Sequence, residues 1–261
     1  MDRPDDRKMY EREFKIQEQL QHPRLLGLQA AFVEDTCVYA QFPFIAGGNM
    51  RQWIVGEPRP TAAQIQRVCF EVAVGLSHLH SKSVVHCDLK QENVLIDDTL
   101  MPLICDFETA KDVINVTVSS VSGAGGTVGY LAPELVGGVG KGTTASDMYA
   151  FGVLWLNALY PDGVSQAVRT QNQITMDQTT YPKGPRFMSM IARWKAPSRL
   201  HSKDQHTLLT SLLNPQAAQR PQSLQLITSA MRIRYNCVRR HLTAACRVDA
   251  HGCRQLQARA S

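Results

Sequence analysis

The chain has 261 residues, 44% of them hydrophobic and 20% charged, which suffices for one large domain or two small lobes around a real core and excludes wholesale disorder. Its net charge of +5 is uneven: residues 231–261 carry seven Arg and one Asp, leaving residues 1–230 near −1, so the basicity belongs to the tail rather than to the body of the protein. The polar start, Met1–Lys8, has no apolar run of a secretory signal, and seven cysteines, odd in number and mostly set in apolar runs, point to reduced thiols in the cytoplasm or nucleus.

In chain order, residues 11–21 have the composition of a helix that stops at His22-Pro23, because the residue before a proline avoids helical angles. Residues 25–44 read as two short strands around Glu34-Asp35-Thr36, with β-favouring Phe32, Val33, Val38, Tyr39 and Phe42. Ala46-Gly47-Gly48-Asn49 breaks the pattern. Thr61 is the expected N-cap of a helix whose apolar residues Ile65, Val68, Cys69, Val72, Leu76 and Leu79 recur at three and four. Short strands are expected at Val94–Ile96 and Leu103–Cys105. Beyond Glu134 the character is helical, broken near Pro161-Asp162-Gly163 and over 180–185. The apolar run Tyr149–Tyr160 contains Asn157 and is too short to cross a bilayer; it reads as a buried core helix.

Three segments carry chemistry. His86-Cys87-Asp88-Leu89-Lys90-Gln91-Glu92-Asn93 comes first, then Asp106-Phe107-Glu108, then Gly126-Thr127-Val128-Gly129-Tyr130-Leu131-Ala132-Pro133-Glu134. In that order they resemble the catalytic loop, the D-F-G and the G-T-x-x-Y-x-A-P-E of eukaryotic-type protein kinases. The resemblance implies an α+β fold, bilobal and protein-kinase-like, with a mainly helical C-lobe and an incomplete β-rich N-lobe. Residues 1–45 would form the partial N-lobe (helix C and two following strands), 46–230 the C-lobe and 231–261 a basic extension.

By that resemblance Asp88 orients the attacking hydroxyl and accepts its proton, and Lys90 stabilises the transferred phosphoryl group. Asn93 and Asp106 offer hard oxygen ligands suited to Mg²⁺. Glu13, ten residues before Pro23, stands where the family pairs a glutamate with its ATP-binding lysine, and Phe42 and Phe44 belong to the hinge that packs adenine. Lys90 and Thr127 are marks of the serine/threonine class. The implied cofactors are ATP and Mg²⁺, and the implied partner is a protein substrate. Asp147-Met148-Tyr149-Ala150-Phe151-Gly152 resembles the family's D-x-W-S-x-G, whose Asp braces the loop backbone, and Arg220 is expected to pair with Glu134.

The sequence also departs from the family. Only twelve residues precede Glu13 and they hold no G-x-G-x-x-G, so an N-terminally truncated member is expected; Lys8 is too close to Glu13 to substitute for the missing lysine. Glu108 replaces a glycine, Cys87 replaces the arginine that reads a phosphate on the activation loop, and Gln17 stands where an apolar residue would stack toward Phe107. In the tail, Cys237, His241, Cys246, His251 and Cys253 match none of the paired zinc spacings, and few aromatics are present to stack on nucleic-acid bases. Two readings stay open: a protein serine/threonine kinase, and a pseudokinase that keeps the fold as a binding or scaffold module. A small-molecule phosphotransferase is disfavoured by Gly126–Glu134.

Overall fold

The computed structural model describes residues 16–34, 37–112, 127, 129–135, 140–159 and 203–227. The end of the first expected helix is present at 16–19, whereas Glu13, the loop residues Thr117, Ser119, Ser120 and Ser122, the breaks at 161–163 and 180–185, and the tail lie outside the described residues. The two expected strands form an antiparallel hairpin, β1 (Ala30–Glu34) and β2 (Cys37–Gln41), with Phe32 opposite Tyr39. Those two rings stack 5.1 Å apart, the cross-strand aromatic pairing that steadies a short hairpin. Cys37 is exposed, unlike the buried Cys69.

Helix α1 (Met50–Val55) starts in a capping box: Asn49 Oδ1 accepts from Gln52 N, and Gln52 Oε1 accepts from Asn49 N, both at 2.9 Å. Gly47 is needed just before it, because a Cβ there would collide with the Ile96 carbonyl oxygen. Helix α2 (Ala62–Ser81) begins in the same way, with Thr61 as N-cap and Gln64 as its reciprocal partner, so two orphan amides are satisfied at once. Its predicted apolar stripe is buried throughout.

Two tiny sheets frame the loop after α2. Strand β3 (Val84–Val85) pairs with β6 (Lys111–Asp112), and β4 (Val94–Ile96) pairs with β5 (Pro102–Ile104). The second strand of the β4–β5 pair begins one residue earlier than expected. Proline lacks an amide but is tolerated at a strand's first position, and Pro102 faces Ile96 at the open end. The Cys105 amide instead leaves the ladder and donates to the Asn93 carbonyl at 3.0 Å. Helix α3 (Thr144–Leu159) is the central post: every residue from Ser146 to Leu159 is buried, as a helix apolar on all sides must be. Helix α4 (Lys203–Leu212) packs on it. Among the described residues no helix is long and apolar enough to cross a membrane.

The segment 16–25 is fastened to α2 by two contacts. Arg24 Nε donates to Glu71 Oε2 at 2.6 Å, and the His22 and His78 rings stack at 4.6 Å. Burial first, then the facing His78 and Arg24, push the His22 imidazole below its ordinary value against the opposing pull of Glu71. Burial, then Lys82, does the same to His78. A histidine with a depressed folded-state pKa binds fewer protons folded than unfolded. The stability held by this pair is therefore full above pH 6.5 and drains as pH falls from there through the depressed values. Between about pH 7.5 and 5.5 the native chain should lose more urea stability than His78→Phe, which keeps a ring to stack but cannot charge. Equal losses in the two proteins would rule the pair out.

Gln17 departs from the apolar stack in a particular way. It is only 5% exposed, and its Oε1 has no hydrogen-bond partner among the described residues. An unmet buried acceptor costs about 1–3 kcal/mol, so this position weakens the packing that an apolar side chain would strengthen.

Candidate active site

The loop between β3 and a short 3-10 turn at Gln91–Asn93 carries the predicted residues. Its backbone is pinned from below by Asp147 in the first turn of α3. One carboxylate oxygen accepts from His86 N at 2.8 Å and the other from Cys87 N at 3.0 Å, which is the bracing role expected of it. The brace is needed because Cys87 sits at φ +69°, a left-handed conformation that costs a residue with a β-carbon about 1–2 kcal/mol. His86 completes the turn: its Nδ1 accepts from Asp88 N at 3.3 Å, its Nε2 reaches the Cys105 carbonyl at 3.0 Å, and its ring tilts against Phe107.

The Asp88 carboxylate accepts on both oxygens. Lys90 Nζ donates to Oδ2 at 2.6 Å. Thr127 gives Oδ1 its amide at 2.6 Å and its hydroxyl at 2.8 Å, and Thr127 Oγ1 in turn accepts from Lys90 Nζ at 3.0 Å. Burial alone would lower the Lys90 ammonium. The hydrogen bond and charge of Asp88, then Asp106 and Glu92, outweigh it, and its pKa lies above 10.5. The linkage has a definite sign: this contribution to stability is complete below pH 10.5 and lost only as pH rises through the raised value.

Asn93 and Asp106 meet through the amide of Cys105. That bond to the Asn93 carbonyl delivers the next residue, Asp106, to the loop, and Asp106 takes φ +66°, a conformation aspartate tolerates better than most residues. Asn93 Nδ2 is committed to the Asp88 carbonyl at 3.0 Å and approaches Asp88 Oδ2 at 3.5 Å. Its amide oxygen therefore faces the other way. Asp106 is exposed, and its carboxylate has no hydrogen-bond partner among the described residues. One open carboxylate and one open amide oxygen form a donor set that fits Mg²⁺, which is held by few protein oxygens and completes its shell with water and phosphate.

Of the two predicted hinge aromatics, Phe42 is half-buried and Phe44 is 91% exposed. Glu108 is exposed, and its backbone is not left-handed, so the glutamate is accommodated here without the strain a glycine would relieve. Cys87 has turned inward: its Sγ lies 3.7 Å from the Val85 carbonyl, and a Cβ on Gly142 would come within 2.5 Å of it. Burial, then Asp147, pushes its thiol up to about 12 against Lys111. A neutral inward thiol cannot bind phosphate as a guanidinium does. Replacing Thr117, Ser119, Ser120 and Ser122 together by Glu should therefore leave phosphotransfer near the unmodified level. A strong rise would show that another cation reads the loop.

Three positions that touch this loop or its brace are not announced by the sequence as members of the site. Thr127 reads there only as a mark of substrate class, although the threonine of G-T-x-x-Y-x-A-P-E is the signal for its contact with Asp88. His80 and Ser223, which stand behind Asp147, leave no signal at all. The scaffold pair is legible: Arg220 Nη1 and Nη2 each donate to one Glu134 oxygen at 2.7 Å.

Among known proteins, the chain matches the protein kinase domain over residues 1–232. It is similar to a bifunctional serine/threonine-protein kinase/NEDD4-like E3 ubiquitin-protein ligase of Dictyostelium discoideum, 32% identical over 164 residues, 59% of this chain and 8% of that protein. It is similar to Aurora/IPL1-related protein kinase 2 of Caenorhabditis briggsae, 30% identical over 214 residues, 78% of this chain and 70% of that protein. Ribosomal protein S6 kinase alpha-1 of Rattus norvegicus is 30% identical over 188 residues, 72% of this chain and 25% of that protein. The chain thus spans a small part of two of these relatives and more than two thirds of the third. Because the match runs through most of the sequence, the chain belongs to the protein kinase domain family and has its α+β, bilobal fold.

Proposed function

We propose that the protein is a serine/threonine kinase that transfers the γ-phosphoryl group of ATP to a protein hydroxyl. The observation that carries this reading is the Asp88 carboxylate, gripped by Lys90 at one oxygen and by Thr127 at the other. There it would orient a substrate hydroxyl and accept its proton as the phosphoryl group departs. Lys90, positively charged throughout the physiological range, would offset negative charge on the transferred group. Asn93 and Asp106 would hold Mg²⁺, which supplies charge neutralisation across the phosphates. The names of the similar proteins favour the serine/threonine class, as does Thr127 touching both Asp88 and Lys90. We infer a cytoplasmic or nuclear location, in keeping with the free thiols of Cys37, Cys69, Cys87 and Cys105 among the described residues.

A second reading, a pseudokinase acting as a scaffold, is favoured by the buried, unmet amide oxygen of Gln17 and by Glu108, a carboxylate two residues from Asp106 where the family has glycine. Thermal unfolding with Mg²⁺-ATP separates the two. Nucleotide at 100 times its Kd should add about 2.7 kcal/mol, or on the order of 5–10 °C for a domain of this size, together with transfer of labelled phosphate to a serine- or threonine-containing peptide. A shift without transfer, or no shift at all, moves the assignment to the scaffold.

A further inference from the structure

Asp147 is 1% exposed, and its two oxygens take a third donor besides the amides of His86 and Cys87. His80, on the last turn of α2, places Nε2 3.0 Å from Asp147 Oδ2. The other ring nitrogen, Nδ1, lies 3.1 Å from the hydroxyl of Ser223, 143 residues further along the chain and itself 6% exposed. A continuous line of hydrogen bonds therefore runs from Ser223 through His80 and Asp147 into the loop, ending one residue before Asp88.

The protons along this line are constrained. Asp147 has only lone pairs to offer, so His80 must carry a proton on Nε2; a bare nitrogen there would set lone pair against lone pair. In the neutral imidazole that leaves Nδ1 as a buried acceptor. Ser223 Oγ–H is its donor, and no other hydrogen-bonding group among the described residues reaches that nitrogen. Nor does the hydroxyl serve as a helix cap, although Ser223 is the first helical residue of 223–227: it bonds to His80, and the Leu226 amide goes to the Gln222 carbonyl at 2.9 Å.

We propose that Ser223 is a positioning residue for the catalytic loop. Its hydroxyl fixes the tautomer and ring plane of His80, and His80 in turn holds the Asp147 carboxylate square to the His86 and Cys87 amides. The strained Cys87 conformation, and with it the direction of Asp88, depends on that hold. The relevance to catalysis rests on the proposed reading of Asp88; the hydrogen-bond line does not.

The test is ¹⁵N imidazole NMR and amide exchange on the full chain near pH 8, with Ser223→Ala and Ser223→Thr. Expected in the native chain are a slowly exchanging His80 Nε2 proton and an unprotonated Nδ1 displaced by an accepted hydrogen bond. Ser223→Ala should abolish that displacement and speed exchange of the His86 and Cys87 amides about tenfold, with the β4–β5 amides unchanged. Ser223→Thr should restore both. A native Nδ1 that carries the proton overturns the proposal with no variant needed, which covers an alanine variant that does not fold. Unchanged exchange at residues 86 and 87 in a folded Ser223→Ala overturns it as well. If these results appear as expected but the native chain transfers no phosphate, the kinase reading fails and the role of Ser223 stands.

Discussion

Asp88→Asn should lower phosphoryl transfer by about 10²–10⁴-fold, the range a positioned general base contributes, while the Mg²⁺-ATP thermal shift persists. The substitution is nearly isosteric, so the amide oxygen can still accept from Thr127. On the other side an NH₂ group would face the Lys90 ammonium, now 2.6 Å from a carboxylate oxygen, and donor would oppose donor. Two losses coincide: the proton acceptor disappears and Lys90 is released from its anchor. Asn93 and Asp106, the oxygens proposed for the metal, keep their own side chains, which is why nucleotide binding should survive. Steady-state assays with a peptide substrate, run beside the thermal shift, read both quantities. Retention of more than about a tenth of native turnover would exclude Asp88 as the base.

The second large effect concerns the scaffold. Arg220 has no exposed side-chain surface, whereas Glu134 retains 29%. The guanidinium also donates to the carbonyls of Asn214, Pro215 and Ala145 and lies 5.0 Å from the centre of the Tyr149 ring. Glu134→Ala strands that cation where water cannot reach it, at a cost of about 3–5 kcal/mol, or on the order of 10 °C in Tm. Arg220→Lys should also destabilise, because an ammonium cannot reproduce the two-pronged fork. Replacing both partners by Leu and Met should recover much of the loss, since no buried charge then remains. Thermal unfolding of the three variants checks the ordering; an alanine variant as stable as the native chain would mean the pair is energetically idle.

What the sequence disclosed and what it hid divide by distance along the chain. Asp88, Lys90 and Asn93 fall within six residues, and Asp106 follows one short hairpin later, so contiguous motifs that resemble the family's brought them together. The Thr61 N-cap and the buried run of α3 are likewise local patterns of residue type, whereas helix α1 with its Asn49 cap follows a stretch read only as a break. Thr127 reaches Lys90 across 37 residues and Ser223 reaches His80 across 143; a lone serine or threonine has no periodicity that announces such a partner. Glu134 with Arg220, 86 residues apart, was legible only through family resemblance. The inward turn of Cys87 could not be read either, because it depends on Gly142 leaving room for the thiol.

Those long separations also set an order of events during synthesis. The loop that carries Asp88 is complete as sequence once residue 93 has been added, but its brace is not. Asp147 must arrive to hold the His86 and Cys87 amides, and His80 then waits for Ser223. At about 5–20 residues per second, the ribosome leaves many seconds in which the left-handed turn at Cys87 lacks part of its support. Closing contacts of this span is slow as well, because the loop entropy is lost before the contact forms to offset it. The nascent chain therefore gains the brace together with the hydrophobic post that carries it and the Ser223 contact last, and until then a partly made protein holds the reactive residues without their full support.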